Sequence, residues 1–554
     1  MTDHKHARVG SEQLDPQYDD ASLLEKPEPV PESEPKMALW AALRRWPRVS
    51  WYALALTSTI LLWGFDNVLV GSVSAMPVFQ ENYGEKVNDQ WIIPANWLSI
   101  WNFCGPAGAM SGAIIAGWLG DKIGRRWMLA SATILSAAAV VVFIASDTPA
   151  NLEGRRGLFV LGKILSGLGI GAITTTVQTY MSETVPSQLR GSIMAAFPIF
   201  QLIGQISGSI IIQVMMERPG RDSYRITFAT MWAFSIIPLI SSLIIPESPA
   251  WLLRKGKTDQ AVKAHGKLEA NKKFPGAHLA SFARLQTTIA RDGHQATDPE
   301  SKVGYLACFK GTNLRRTGIV VFANILPEMF GLTLMGSANY YLQCVGVDHS
   351  TSNLFMIIGI ALGLVANIST FWILSKFGRR RLILVTLIPA GLLWLSIGVV
   401  GTIQKEGQFV YWYTPVTMMV IIFTLGTGAW PASYVVASET STLRLRAKTS
   451  GIGWFVSGGV SAGMGSGLPY VYSPDAANLR AQTTYVVAGF TAVALVISFF
   501  FVPEMKGRTA LEIDRMFEMG LPARGFRHWG GGDVPLVKRS GTGYERIRSL
   551  GGEA

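Results

Sequence analysis

Twelve blocks of apolar residues, each about 20 long and almost free of charge, leave this chain few ways to fold. They run over 51–76, 96–119, 127–146, 157–181, 191–214, 226–245, 317–345, 352–374, 382–403, 412–436, 449–470 and 483–503. At 1.5 Å of rise per residue, each block as a helix matches the ~30 Å hydrocarbon core of a bilayer. In hydrocarbon every backbone N–H and C=O must be satisfied within the chain, which a helix of that length achieves. The expectation is an all-α membrane protein with twelve transmembrane helices. Composition agrees, because only 16% of the 554 residues are charged, against about a quarter in a soluble protein.

The net charge of +12 would suit nucleic acid, but its placement argues for a bilayer and against a nucleic-acid partner. Lys122, Arg125 and Arg126 lie between blocks 2 and 3; Lys376, Arg379, Arg380 and Arg381 between 8 and 9; Arg444, Arg446 and Lys448 between 10 and 11. These loops share one side. The opposite loop after block 1 holds Glu81, Glu85, Lys86 and Asp89. Positive loops stay cytoplasmic, so both termini are expected there. One opposite loop, with Arg218, Arg221 and Arg225 against Glu217 and Asp222, is mildly basic and runs against the pattern. Residues 1–50 are polar and rich in Pro and Glu, which predicts a disordered tail without a signal-peptide core. Cys104, Cys308 and Cys344 give neither a disulfide framework nor metal spacing, and no cofactor is expected. There is no G-x-x-x-x-G-K-[ST] loop for an ATP-driven motor and no nucleophile–base constellation for an enzyme.

The connection over 246–316 splits the blocks six and six, and the halves repeat. GWLGDKIGRRW after block 2 recurs as WILSKFGRRRL after block 8, SETVPSQLRG as SETSTLRLRA, and PESPAWLLRKGK as VPEMKGRT. All three recur in order at an interval of about 255 residues. The predicted organisation is a tail over 1–50, a six-helix bundle over 51–245, a cytoplasmic linker with short helices over 246–316, a second bundle over 317–503 and a tail over 504–554. Two repeated bundles rock about a site at the bilayer midplane, the logic of alternating access. The repeated charges are the candidate cytoplasmic gate: Asp121, Glu183, Glu247, Glu439 and Glu504 as acids, Arg125, Arg126, Arg190, Arg379, Arg380 and Arg446 as bases. Each GRR turn offers a bend and a guanidinium cluster for facing carboxylates. An acid seven residues before an arginine can pair across the bundle ends in one state and release in another. The plainer alternative is that these arginines only set topology.

Asp66, in the WGFDNVLVG stretch of block 1, breaks the apolar pattern. An intramembrane carboxylate costs several kcal/mol and marks a functional site by default.

GFDNVLVG, AMPVFQENYG, GDKIGRR, SGLGIG, the two E-x6-R elements, PESPAWLLRKGK, YVVASETSTLRLRAKT, LPYVYSPDAANL and VPEMKGRTALEIDRMF together resemble the sugar-porter family of the major facilitator superfamily. Within it they resemble the fungal α-glucoside (maltose-type) permeases, over about residues 51–525. The resemblance implies the major facilitator fold with a helical intracellular loop, in which KTDQAVKAHGKLEANKK is a basic, solvated helix. It implies a monomeric plasma-membrane carrier that moves a sugar or glycoside with protons. It also implies that Asp66 is the proton carrier. Lys163 stands where the family has an arginine, and neutralises as a point charge without the bidentate fork. The alternative role for Asp66 and Lys163 is a static pair holding block 1 to block 4.

The sugar-binding positions depart from the family. Its block-5 amide falls here at Pro198, leaving Gln201 and Gln205, which share a helical face four residues apart. Its block-7 glutamine falls at Pro327, beside Glu328. Trp430 and Pro431 stand where the family bends block 10, with Tyr434 beyond. Asn339, Tyr340 and Gln343 at the far end of block 7 complete the candidate substrate contacts, the first and last also fitting an outer gate. Glu328 either faces a cavity, as a substrate contact or second protonation site, or lies near the interface if block 7 starts later. These departures keep two further readings open: a carrier of a polyol or glycosylated secondary metabolite, and a sugar sensor that does not transport.

Overall fold

The computed structural model describes residues 43–529, apart from 88–89, most of 187–195 and 270–304, 405–406, 443–444, 509 and 528. The predicted tail over 1–50 falls almost wholly outside the described residues, as does Arg190.

Helices occupy all twelve blocks. Span 1 is Pro47–Val73, interrupted for a turn at residues 58–59. Spans 2 to 6 are Ala95–Ile123, Arg125–Ala145, Leu152–Thr184, Phe197–Met216 and Asp222–Ile244. Spans 8 and 9 are His349–Lys376 and Arg379–Ile403; span 10 comes in two pieces, Gln408–Gly426 and Ala429–Thr440. Spans 11 and 12 are Arg446–Tyr472 and Thr484–Phe501. Ten of the helices among the described residues are long and apolar enough to cross a membrane by themselves. Span 11 falls short because its GWFVSGGVSAGMGSG run dilutes the apolar residues with Gly and Ser.

Span 7 corrects the expectation of one helix over 317–345. It starts at Thr312 and comes in three pieces, Thr312–Met329, Leu332–Gly336 and Ala338–Val345. Pro327 contributes no N–H donor, and Gly331 turns the chain at φ 97°, a conformation that favours glycine.

Lipid is as apolar as leucine, so these helices associate by close packing of small residues. A Cβ added to Gly167 of span 4 would lie 2.2 Å from the Gly105 carbonyl oxygen of span 2, and one added to Gly171 would lie 2.0 Å from that of Ala109. Span 2 reciprocates with Gly108 and Gly112, whose Cβ atoms would meet the carbonyls of Ile164 and Leu168. The SGLGIG motif is therefore first a packing surface. Gly64 and Gly204 bring spans 1 and 5 together in the same way.

Spans 2 and 11, and spans 5 and 8, pack across the halves. A set of hydrogen bonds joins the first six spans to the last six at the end opposite the GRR turns. Gln343 Nε2 donates to the Ala75 carbonyl at 3.1 Å, and Gln80 Nε2 donates to Gln343 Oε1 at 3.3 Å. Asn353 Nδ2 donates to Gln213 Oε1 at 2.7 Å, and Asp475 accepts from the Ala95 N–H at 2.7 Å. Gln343→Ala removes two of these links, worth ~1 kcal/mol together, and should raise maleimide labelling of the adjacent Cys344 about fivefold. Mass spectrometry of the labelled protein checks it.

The same end carries elements the block pattern did not foresee, a helix over Pro77–Tyr83 and an antiparallel pair, Glu85–Val87 with Gln90–Ile92. There the fully buried Asp147 accepts from Arg225 Nε and Tyr224 Oη, both at 2.8 Å. Burial alone would push the Asp147 carboxyl up, but these two donors overcome it and hold it below the usual carboxylate range. A depressed carboxyl stabilises the fold above its unfolded value, so this contribution is complete at neutral pH and disappears only in acid.

The helix Thr258–Glu269 is not fully solvated as expected. Ala261, Ala264, His265 and Leu268 form a buried stripe, of which Ala261 and Ala264 pack with Trp251 and Leu252 and Leu268 joins the main core. Past span 12, a helix over Ala510–Glu518 docks on the start of span 7, where Arg316 pairs with Asp514 and Arg315 donates to the Leu521 carbonyl.

Candidate transport site and gate

Asp66 is 8% exposed and Lys163 3%. Lys163 Nζ lies 3.0 Å from each carboxylate oxygen of Asp66, and Ser166 Oγ donates to Oδ1 at 3.0 Å. Span 1 reaches this depth because Gly64 admits the span 5 backbone. Gly105 leaves room for the lysine stem, since its added Cβ would stand 3.3 Å from Lys163 Cε. One ammonium bridges both oxygens, the point-charge geometry expected of lysine. Proton uptake by Asp66 would cancel the charge that holds Lys163. Ser166 was missed in the sequence, although it sits three residues from Lys163 and so on the same helical face.

A second buried acid within the spans is Glu328, 9% exposed at the end of the first piece of span 7. It lies inside the second half, not near the interface. It accepts from Thr333 Oγ1, and no ion pair reaches it among the described residues. Asn324, one turn earlier, packs on Gly453 of span 11, and Ser457 donates to its carbonyl at 3.0 Å. Tyr434 stacks on Trp454 with ring centroids 5.8 Å apart, and Trp454 meets Trp63 edge-on at 6.2 Å, an aromatic bridge between the halves. Trp454 had no signal in the sequence. Trp430 is buried at the head of the second piece of span 10. Gln201 and Gln205 are buried on span 5, and neither amide has a hydrogen-bond partner among the described residues.

The remaining substrate candidates are not brought to this region. Asn339 donates to Asn353 and accepts from Ser352, Tyr340 Oη donates to the Ile93 carbonyl at 3.3 Å, and Gln343 holds the closed end.

At the GRR end, Arg125 forks onto Glu183, with Nη2 3.0 Å from Oε1 and Nε 3.3 Å from Oε2, while Nη1 reaches Asp121 at 2.8 Å. Glu247 accepts from the backbone N–H of Arg125 at 2.9 Å and of Arg126 at 3.2 Å, an anion held on a helix N-terminus. Gly124, at φ 97°, makes this possible: its added Cβ would stand 2.4 Å from Glu247 Oε2. Arg254 adds a further contact to Glu183 at 3.3 Å. The second half repeats the plan. Glu504 accepts from the Arg379 N–H at 3.1 Å beside Gly378, and Arg379 Nη2 meets Glu439 Oε1 at 3.0 Å. Arg126 and Arg380 each tie their turn to carbonyls at the end of the last span of their own half, Ser242 and Phe499. Each of these pairs joins residues of one half. Arg190 is outside the described residues, and Arg446 opens span 11 with its side chain outside them.

What this geometry defines is a carrier of the major facilitator type, two repeated bundles joined by hydrogen bonds at one end, with a buried ion pair inside the first. The chain belongs to the sugar (and other) transporter family, whose model matches residues 52–517. It is 29% identical over 514 residues to the MFS transporter fmqE of Aspergillus fumigatus, covering 89% of this chain and 92% of that one. It is 26% identical over 503 residues to the maltose permease MAL61 of Saccharomyces cerevisiae, covering 90% and 80%. The fold is similar to the proton:xylose symporter XylE bound to 6-bromo-6-deoxy-D-glucose, with a TM-score of 0.66, 19% identity and coverage of 85% of this chain and 99% of that one. The inward-open conformation of XylE from E. coli gives a TM-score of 0.65 at 18% identity, covering 84% and 99%.

Proposed function

We propose that the protein is a monomeric plasma-membrane symporter that brings a sugar or glycoside into the cell with protons, the GRR end facing the cytoplasm. The buried Asp66–Lys163 pair carries this reading. An opposite charge favours the carboxylate and burial favours the neutral acid, so a contact that makes and breaks converts conformation into proton affinity. The hydrogen bonds at the opposite end and the intra-half pairs at the GRR end fit an inward-facing stage of the cycle. In the outward-facing stage the E-x6-R elements exchange partners and the links around Gln343 part. Resemblance to a maltose permease and to a proton:xylose symporter supports both halves of the reading. Its test is uptake of a labelled sugar and glycoside panel in transporter-null cells. A proton uncoupler should collapse accumulation, and accumulation that survives it would defeat the coupling.

A second cargo class is favoured by Pro198, Pro327 and Glu328, which replace or adjoin the amides that bind hydroxyls in the family. On that reading the cargo is a polyol or a glycosylated secondary metabolite, and Glu328 with Thr333 takes one of its polar groups. Glu328→Gln keeps the size of the side chain, and should raise KM about tenfold for the true cargo with kcat little changed, the loss of one charged hydrogen bond. Unchanged KM across the panel would remove Glu328 from the site.

A further inference from the structure

A cavity of about 570 Å³ opens on the outside of the first half at its GRR end. Its walls come from four elements: Arg48, Trp51 and Tyr52 of span 1, Arg126 of span 3, residues 243–246 at the end of span 6, and Lys267 of the helix Thr258–Glu269. Among the described residues three cations line it and no acid does. Arg48 and Lys267 are exposed, and neither has an ion-pair partner among the described residues. Arg126 commits Nε to the Ser242 carbonyl at 2.9 Å and Nη2 to that of Leu243 at 3.1 Å, leaving Nη1 uncommitted. Glu247, one residue past the lining segment 243–246, is turned to the backbone N–H groups of Arg125 and Arg126 and does not line the space.

The lips of the cavity are apolar. Trp51 is 72% exposed, Leu243 58% and Ile244 59%, on the surface that a bilayer would cover. A soluble anion would use the cations and leave these lips to water. A phospholipid uses both, with its phosphate at the cations, its glycerol at the level of Trp and Tyr rings, and its chain on the aliphatic wall. Basic pockets at the ends of transmembrane helices are suited to such headgroups, and the volume is in the range of built ligand sites.

We propose that this cavity binds the phosphorylated headgroup of an anionic phospholipid, its phosphate held by Arg48, Arg126 and Lys267 and its chain laid along Leu243 and Ile244. The bound lipid ties span 1, span 3, span 6 and the helix Thr258–Glu269 together directly behind the Arg125–Glu183–Glu247 cluster. It thereby stabilises the first half of the gate in the paired arrangement. The site stands apart from the cargo and from proton coupling, so its test needs neither.

The test uses the full chain in detergent and a fluorescent dioctanoyl phosphatidylinositol 4-phosphate, read by polarisation. Saturable binding is expected, displaced by unlabelled dioctanoyl phosphatidylserine but not by the phosphatidylcholine of the same chain length, and weakened by salt. Arg48→Gln with Lys267→Gln should weaken it at least tenfold, two surface charges being removed from a headgroup site. Both residues are exposed, so melting curves of the double variant should match the parent. Trp51→Ala should weaken the lipid probe further while leaving any affinity for inositol phosphate untouched. Equal affinity in the double variant, or equal displacement by phosphatidylcholine, would overturn the site. Displacement by chain-free inositol phosphate as effective as by lipid would overturn the lipid and leave a soluble-anion site.

Discussion

Asp66→Asn is expected to abolish accumulation of cargo driven by a pH gradient while exchange of labelled for unlabelled cargo continues. With one proton per cargo, a gradient of one pH unit supports about tenfold accumulation, and the variant should settle at equal concentrations on both sides. An amide fills the same space beside Ser166 but neither loads nor releases a proton. The companion change, Lys163→Met, leaves Asp66 buried with only a hydroxyl donor. Breaking a buried pair from one side costs about 3–5 kcal/mol, so this single variant should be markedly less stable in detergent. Combining it with Asp66→Asn should restore most of that loss, since no buried charge is then left alone. Accumulation persisting in Asp66→Asn would reduce the pair to a static tie between spans 1 and 4.

The second large effect belongs to the glycines between spans 2 and 4. Gly171→Ala places a methyl 2.0 Å from a backbone carbonyl that no side-chain rotation can move. The two helices must separate along their length, at a cost of about 3 kcal/mol, the upper end of ordinary overpacking. Gly117→Ala, in open space on span 2, is the matched control and should change nothing. Melting curves of both variants in one detergent decide it. Equal stability would mean that the bundle tolerates slack where it now has none.

The parts of this architecture legible in the sequence are those in which charge is out of place. A carboxylate in an apolar block has few uses, so Asp66 announced itself, and the family resemblance pointed to Lys163 as standing where the family has an arginine. The charge clusters of the candidate gate were legible because GRR, E-x6-R and the Pro-Glu ends recur at one interval. What was not legible depended on where the chain turns. Pro327 was plain to see, but Gly331 doubles the backbone back so that Thr333 reaches Glu328 across five residues, outside helical periodicity. Asn339 and Gln343 read equally well as cargo ligands or closure contacts, and only the way the halves meet separates the two. The stripe of Ala261, Ala264 and Leu268 has helical spacing, but it was hidden by the lysines around it.

One difference between the halves concerns stiffness. Span 4 runs 33 residues from Leu152 to Thr184 without a proline or a break. Lys163 and Glu183 ride on that one rod, about 30 Å apart at 1.5 Å per residue. In the proposed cycle, a tilt at Lys163 would be carried along this unbroken helix to the carboxylate that holds Arg125. Its counterpart, span 10, is jointed at Thr427 and Gly428, just before Trp430. In the proposed cycle, the same tilt on that side would be taken up at the joint, next to Trp430, before reaching Glu439. On the proposed cycle the molecule pairs a lever with an elbow, the first half acting on the candidate gate and the second on the aromatic wall.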